Sequence, residues 1–162
     1  MRYSFIVIIL LLISTSCSKK AIVNTPDNPA PPENNEGNAE VIKVEVSGSP
    51  NSYLFSVTIK SPDTGCDQYA DWWEVITLDE QLKYRRILAH SHVTEQPFTR
   101  TGSPVAVAED EIVYVRAHMN NSGYGTTVMK GSKQAGFSSE TLEKDFAIGL
   151  AQEEPLPKDC DF

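Results

Sequence analysis

The chain has 162 residues, a formal net charge of −8 and 22% charged residues. This acidic balance argues against nucleic acid as a partner, because nucleic-acid binding depends on clustered Lys and Arg side chains that neutralise phosphates. The length is enough for one ordinary folded domain.

The first residues carry an export signal. Met1 and Arg2 give a positive start, an apolar run extends from Phe5 to Ile13, and the small residues Ser14–Ser16 stand before Cys17. The apolar run is about half of the ~20 residues that a membrane-spanning helix needs. Residues 1–16 are therefore interpreted as a secretory signal peptide that is removed on export.

A cysteine at the cleavage position resembles the signal of bacterial lipoproteins, although Ser14 stands where that pattern usually has a larger aliphatic residue. The resemblance implies that Cys17 is acylated and anchors the exported protein to the membrane of the cell envelope. Lys19 and Lys20 occupy positions where acidic residues direct some lipoproteins to the cell surface, which favours the outer membrane with the domain facing the periplasm. An ordinary signal peptide that leaves Cys17 free is the alternative.

The residues after Cys17 are poor in apolar side chains and rich in Pro and Asn. Such a stretch cannot bury enough surface to offset the entropy lost on ordering. We therefore predict a disordered tether over residues 17–39 and one folded domain over residues 40–162.

The cysteine count supports this division. Three cysteines leave an odd thiol in an exported protein, and assigning Cys17 to a lipid leaves Cys66 and Cys160 as a pair for a disulfide. That disulfide would close a loop of about 95 residues and hold the C-terminal tail. A reactive thiol at Cys66 or Cys160 is the alternative.

The folded part is predicted to be mainly β. Short alternating segments separated by Gly, Pro, Asn and Asp are typical of an antiparallel sandwich or barrel rather than of a βαβ fold. The predicted strands cover residues 41–46, 53–59, 72–78, 82–88, 112–118 and 126–129.

Two of these segments carry a family resemblance. Val113-x-Val115-x-Ala117, followed by Asn120–Gly125, resembles the F strand and F–G turn of fibronectin type III and immunoglobulin-like domains. Trp73-x-Val75 resembles strand C of the same fold. The resemblance covers residues 40–133 and implies an immunoglobulin/fibronectin-III-like sandwich, an architecture that hosts many unrelated functions.

The C-terminal part is predicted to contain a short helix at about residues 140–152. Leu142, Phe146 and Leu150 recur at four-residue spacing, and Ser138-Ser139 can cap the start of a helix.

Alternation along the strands also predicts a binding face. Residues two apart in a strand share a face, so Trp72 and Glu74 point outward if Trp73 and Val75 point into the core. The same rule turns Tyr114 and Arg116 outward on a strand that adjoins strand C in this fold. We therefore predict an exposed candidate binding face made of Trp72, Glu74, Tyr114 and Arg116, with Glu74 and Arg116 as a surface ion pair.

The histidines suggest a second kind of site. His90 and His92 lie two residues apart, and His118 is predicted on the outward face. Three imidazoles on one surface are suitable ligands for copper or zinc. The alternative is structural, with the histidines bonded to the backbone of loops.

A second resemblance tests for catalysis. Residues 69–75 and 115–120 are similar to the immunoglobulin-like domain of superoxide reductases, which hold iron with four histidines and a cysteine. The aligned ligand positions fall on Pro62, Gln68, Met119 and Ser122, so the ligands are missing wherever they can be placed. Iron chemistry is therefore not expected.

The sequence also lacks three common enzyme motifs, namely a P-loop, a G-x-S-x-G elbow and H-E-x-x-H. Two functions remain open. The first is a non-enzymatic, lipid-anchored binding or scaffolding module of the cell envelope, with a protein, peptide or glycan as its partner. The second is a copper- or zinc-binding envelope lipoprotein that uses His90, His92 and His118.

Overall fold

A computed structural model describes residues 37–161. The predicted signal peptide, Cys17 and nearly all of the predicted tether lie outside these residues. The described chain is mainly β, and none of its helices is long and apolar enough to cross a membrane. Its nine strands are β1 (Glu40–Ser49), β2 (Ser52–Lys60), β3 (Ala70–Thr77), β4 (Leu82–Ile87), β5 (Phe98–Thr101), β6 (Val113–Met119), β7 (Gly123–Tyr124), β8 (Thr127–Ser132) and β9 (Gly136–Thr141).

The strands form two antiparallel sheets. The smaller sheet has the order β1-β2-β5, and the larger has the order β4-β3-β6-β8-β9 with β7 paired to β6. Strand β3 therefore lies between β4 and β6, which confirms the predicted adjacency of these three segments.

The main core contains residues of both sheets. Phe55, Val57 and Ile59 of β2 belong to the same buried cluster as Trp73 and Val75 of β3. Each of these side chains is at most 2% exposed. The predicted inward orientation of Trp73 and Val75 is confirmed, and full burial of side chains of this size contributes roughly 1.5–3 kcal/mol each.

The predicted C-terminal helix is wrong over most of its length. Its first residues belong to β9, and the N–H of Leu142 extends that ladder by donating to the carbonyl of Thr126 at 3.0 Å. Only Ile148–Gln152 is helical, as a short 3₁₀ helix. Pairing with β8 gives the backbone N–H and C=O groups of these residues the hydrogen-bond partners that they would otherwise have to find within a helix. The side chains of Leu142, Phe146 and Leu150 nevertheless pack together, in a second cluster outside the larger sheet that also contains Ile76, Tyr114 and Val128.

The described chain starts and finishes at the same end of the domain. The hydroxyl of Ser122, in the turn after β6, donates to the carbonyl of Gly37 at 2.8 Å. At the same turn, Nδ2 of Asn120 donates to the carbonyl of Cys66 at 2.8 Å, and Cys66 forms a disulfide with Cys160. This is the cysteine pair that the sequence predicted, and it fixes the C-terminal tail to the end where the chain enters.

Candidate functional site

The predicted binding face is buried rather than exposed. Glu74 is 0% exposed, Arg116 2%, Trp72 3% and Tyr114 9%. The four residues do lie on the outer side of the larger sheet, but residues 142–156, which we call the covering segment, pack over that side. The prediction of an exposed face is therefore wrong, because strand alternation gives the direction of a side chain and not what lies above it.

Glu74 is the centre of this buried face. On β3 it lies directly opposite Arg85 of β4 and Arg116 of β6. Its Oε2 accepts hydrogen bonds from Nε and Nη2 of Arg85 at 2.8 and 2.6 Å, and its Oε1 accepts one from Nε of Arg116 at 2.8 Å. The predicted surface ion pair of Glu74 with Arg116 is instead part of a buried Arg–Glu–Arg cluster.

The remaining guanidinium donors of the cluster bind the covering segment through its backbone. Arg116 donates to the carbonyls of Phe146 at 2.6 Å and Ala147 at 3.1 Å. Arg85 donates to the carbonyls of Leu150 at 2.6 Å and Pro155 at 3.1 Å, and also to that of Glu153. Because every residue has a backbone carbonyl, these contacts depend little on which side chains the covering segment carries.

Arg85 was not predicted from the sequence, although the hairpin pattern points to its neighbour. Only residues 79–81 separate the predicted strands 72–78 and 82–88, and so short a connection is typical of a hairpin. A regular antiparallel register across that connection would place Arg86 opposite Glu74, whereas the observed ladder, with a register shift between Val75 and Ile76, places Arg85 there.

Aromatic rings and a His–Asp pair surround the cluster. The ring of Trp72 stacks on His118 at 3.6 Å, and Nδ1 of His118 lies 2.7 Å from Oδ1 of Asp71. Burial raises the pKa of Asp71, and the contact with His118 opposes that rise. The guanidinium of Arg116 lies 3.4 Å from the ring centre of Tyr124, and burial raises the pKa of that phenol to about 12. These groups are mostly engaged with one another.

His90 and His92 lie elsewhere, in the connection between β4 and β5. The His92 ring is buried and stacks on Phe98 at 3.8 Å, and the ring of the exposed His90 lies 4.6 Å from the ring of His92. The backbone N–H of His92 donates to Oδ2 of Asp63 at 2.7 Å.

The structure does not bring the three histidines together. His118 is paired with Asp71 on the larger sheet, whereas His90 and His92 form a separate pair. Among residues 37–161, no group of three or more His, Cys, Asp or Glu side chains is arranged to hold a metal ion. The predicted three-histidine copper or zinc site is therefore not formed.

A second feature, not expected from the sequence, is a groove at the end of the domain away from Gly37. It has a volume of about 390 Å³ and is lined mainly by apolar surface, including Leu78, Ile112 and Phe137. Leu78 is 51% exposed, which makes it one of the most exposed large apolar side chains of the described chain.

Comparison with known proteins gives one informative relative. A protein of Halomicrobium mukohataei named "Putative lipoprotein" is 37% identical over 101 residues, which cover 62% of this chain and 49% of that protein. The chain therefore spans about half the length of this relative. No protein-family model and no solved structure matches the chain.

Proposed function

We propose that this protein is a lipid-anchored, non-enzymatic module of the cell envelope that binds an extended segment of a partner protein. The lipid anchor is supported by the signal-like residues 1–16 with Cys17 and by the similarity to a protein named as a lipoprotein. The disulfide agrees with an oxidising compartment. An outer-membrane position facing the periplasm follows from Lys19 and Lys20, as argued from the sequence.

The fold assignment is part of the proposal. The strand orders β1-β2-β5 and β4-β3-β6-β8 support an immunoglobulin/fibronectin-III-like sandwich, with β3 as strand C and β6 as strand F. Such sandwiches commonly serve as recognition modules, although the fold alone assigns no ligand.

The observation that carries the binding proposal is the position of the groove. Gly37 lies beside the turn that follows β6, whereas Ile112 of the groove immediately precedes β6. The seven residues of β6 separate the two ends by roughly 20 Å. A partner can therefore approach the groove from the end of the domain opposite Gly37.

The edge beside the groove favours a polypeptide as the occupant. Within residues 37–161, β9 is the last strand of its sheet and pairs only with β8. Because Leu142 donates to Thr126 in this ladder, alternate residues of β9 turn their N–H and C=O groups away from β8. Phe137, Ser139 and Thr141 thus offer an unpaired edge to which an extended chain can add as a further strand, with apolar side chains in the groove.

The anchor is tested by labelling cells that express the full chain with a palmitate analogue. We expect label on the wild type and none on Cys17→Ser. Equal labelling of both, or no labelling of either, would show that Cys17 is not the lipid site.

The groove is tested by photo-crosslinking in intact cells, with a photoreactive residue in place of Leu78 and, as a matched control, in place of the exposed Leu54 on β2. We expect one discrete crosslinked envelope protein, identified by mass spectrometry, from position 78 and not from position 54. Ser139→Pro should abolish that product because it removes an outward N–H, whereas Leu54→Glu should preserve it.

Crosslinks of equal pattern from positions 78 and 54 would refute the groove as the binding site. The absence of a crosslinked product from position 78, in a protein that folds and reaches its location normally, would do the same. A product that persists in Ser139→Pro, in a variant that folds and is located normally, would refute strand addition at β9.

A further inference from the structure

His92 is buried beside two other rings in the connection between β4 and β5. Its side chain is 3% exposed, stacked on Phe98 and flanked by His90. Within residues 37–161, neither ring nitrogen of His92 has a hydrogen-bond partner. A neutral imidazole is therefore held in the fold mainly by ring packing.

The charged groups that face His92 act in opposite directions on a second proton of its ring. Oδ2 of Asp63 lies 3.8 Å from Nδ1, but this carboxylate is occupied by the N–H of His92, the hydroxyl of Ser61 and the N–H of Ala70. From β5, Arg100 adds positive charge and is itself paired with Glu95 at 2.7 Å.

His90, in the same connection as His92, is a second cation when protonated. Burial, Arg100 and His90 together lower the pKa of His92, and Asp63 and Glu95 oppose them.

We propose that residues 88–97 form an acid-operated latch, in which protonation of His92 expels its ring from beside Phe98 and releases the segment. An imidazolium has two N–H donors. One of them can approach Asp63, but the other ring nitrogen has no hydrogen-bond partner among residues 37–161, and a buried charge without a partner is strongly unfavourable.

Release of this segment would loosen one end of the domain. The carbonyl of Ala89 accepts the N–H of Asp161 beside the disulfide, and Nε2 of Gln96 donates to the hydroxyl of Ser61 at 3.0 Å. The latch thus joins the connection between β4 and β5 to the C-terminal tail and to the loop that precedes β3. It is independent of the groove and does not require the proposed function.

The size of the effect follows from proton linkage. Opening takes up one proton between pH 6.5, the ordinary histidine pKa, and the lower pKa of folded His92. In that interval the equilibrium constant for opening should rise about tenfold for each unit by which the pH falls.

The test is amide hydrogen exchange of residues 18–162 between pH 7.5 and 5.0, with EDTA present so that adventitious metal plays no part. We expect the protection factors of residues 88–97 to fall about tenfold per pH unit below about 6.5, while those of β3 and β6 stay constant. His92→Phe, which keeps the ring stack, should remove this pH dependence, and the matched variant His90→Phe should retain it.

Constant protection of residues 88–97 down to pH 5.0, or an equal fall in His92→Phe, would overturn the proposal. If His92→Phe does not fold, a proton NMR titration of the wild-type His92 ring decides the matter. A folded-state pKa at or above 6.5 would refute the latch, and a pKa below that value together with the exchange result would support it.

Discussion

The outer faces of the two sheets differ sharply, although both carry polar residues at alternate positions. On the smaller sheet, Thr58 and Thr99 are hydrogen-bonded at 2.9 Å across β2 and β5, and the Lys43–Glu45 ion pair is about 60% exposed. On the larger sheet, the carboxylate of Glu74 is fully buried beneath the covering segment.

The comparison shows that polar alternation has two physical outcomes. The hydroxyls of the smaller sheet pair with one another and with water, so they need no further partner. The arginines of the larger sheet each carry five N–H donors in a fixed plane, more than Glu74 can accept. The excess donors are satisfied by carbonyls of a segment 30 to 70 residues away in the sequence. The difference between the faces therefore depends on donor number as well as on polarity.

The largest expected effect is at the centre of the buried face. Glu74→Gln should lower the free energy of unfolding by about 3–5 kcal/mol, because it leaves two buried guanidinium groups without a counter-charge. Urea denaturation measures the change, with Glu45→Gln on the open face as the control that should leave stability unchanged. Equal effects of the two substitutions would remove the distinction between the faces.

A smaller effect is expected when the disulfide is removed. Cys66→Ser combined with Cys160→Ser should cost about 2–4 kcal/mol, since the loop that the bond closes is long. Hydrogen exchange should then show a freed tail at residues 157–161. The N–H of Leu150, which donates to the carbonyl of Ala147, should stay protected because Arg85 and Arg116 still hold this part of the covering segment. Loss of protection at Leu150 as well would mean that the arginines alone do not hold the covering segment.

The smallest effect is expected on the open face. Thr58→Ala and Thr99→Ala should each change the free energy of unfolding by less than about 0.5 kcal/mol, because the surviving hydroxyl remains accessible to water. Thermal denaturation of both single variants and of the double variant measures this. A loss above about 2 kcal/mol in either single variant would show that this face is covered too.

The sequence predicted most strands because many of their apolar residues alternate with polar ones, as in the segment from Phe55 to Ile59. It missed β5 because four residues give too short a pattern, and it missed β9 because Ser138-Ser139-Glu140 is equally typical of a helix start. The four-residue spacing of Leu142, Phe146 and Leu150 correctly marked residues that pack together. It did not determine their backbone, which is held by arginine side chains far away in the sequence.

Two members of the candidate site, Glu74 and Arg116, were predictable from the sequence, but Arg85 and the burial of the site were not. Alternation correctly placed Glu74 and Arg116 on one side of the larger sheet. Whether that side faces water depends on tertiary contacts of the covering segment, which no local pattern encodes. The separation of His118 from His90 and His92 has a similar cause, because the latter two lie in an irregular connection where the two-residue rule does not apply.

The pairing of β1 with β2 has a mechanical consequence for a domain held near Gly37. Tension between that point and a partner bound in the groove would run along the long axis of β1, whose residues pair with β2 from Glu40–Lys60 to Ser49–Ser52. The ladder would then be loaded in shear, so that its hydrogen bonds resist together and not one after another. Gly37 and Cys160 lie at the same end of the domain. Pulling between these two points would therefore leave most of the two sheets without load.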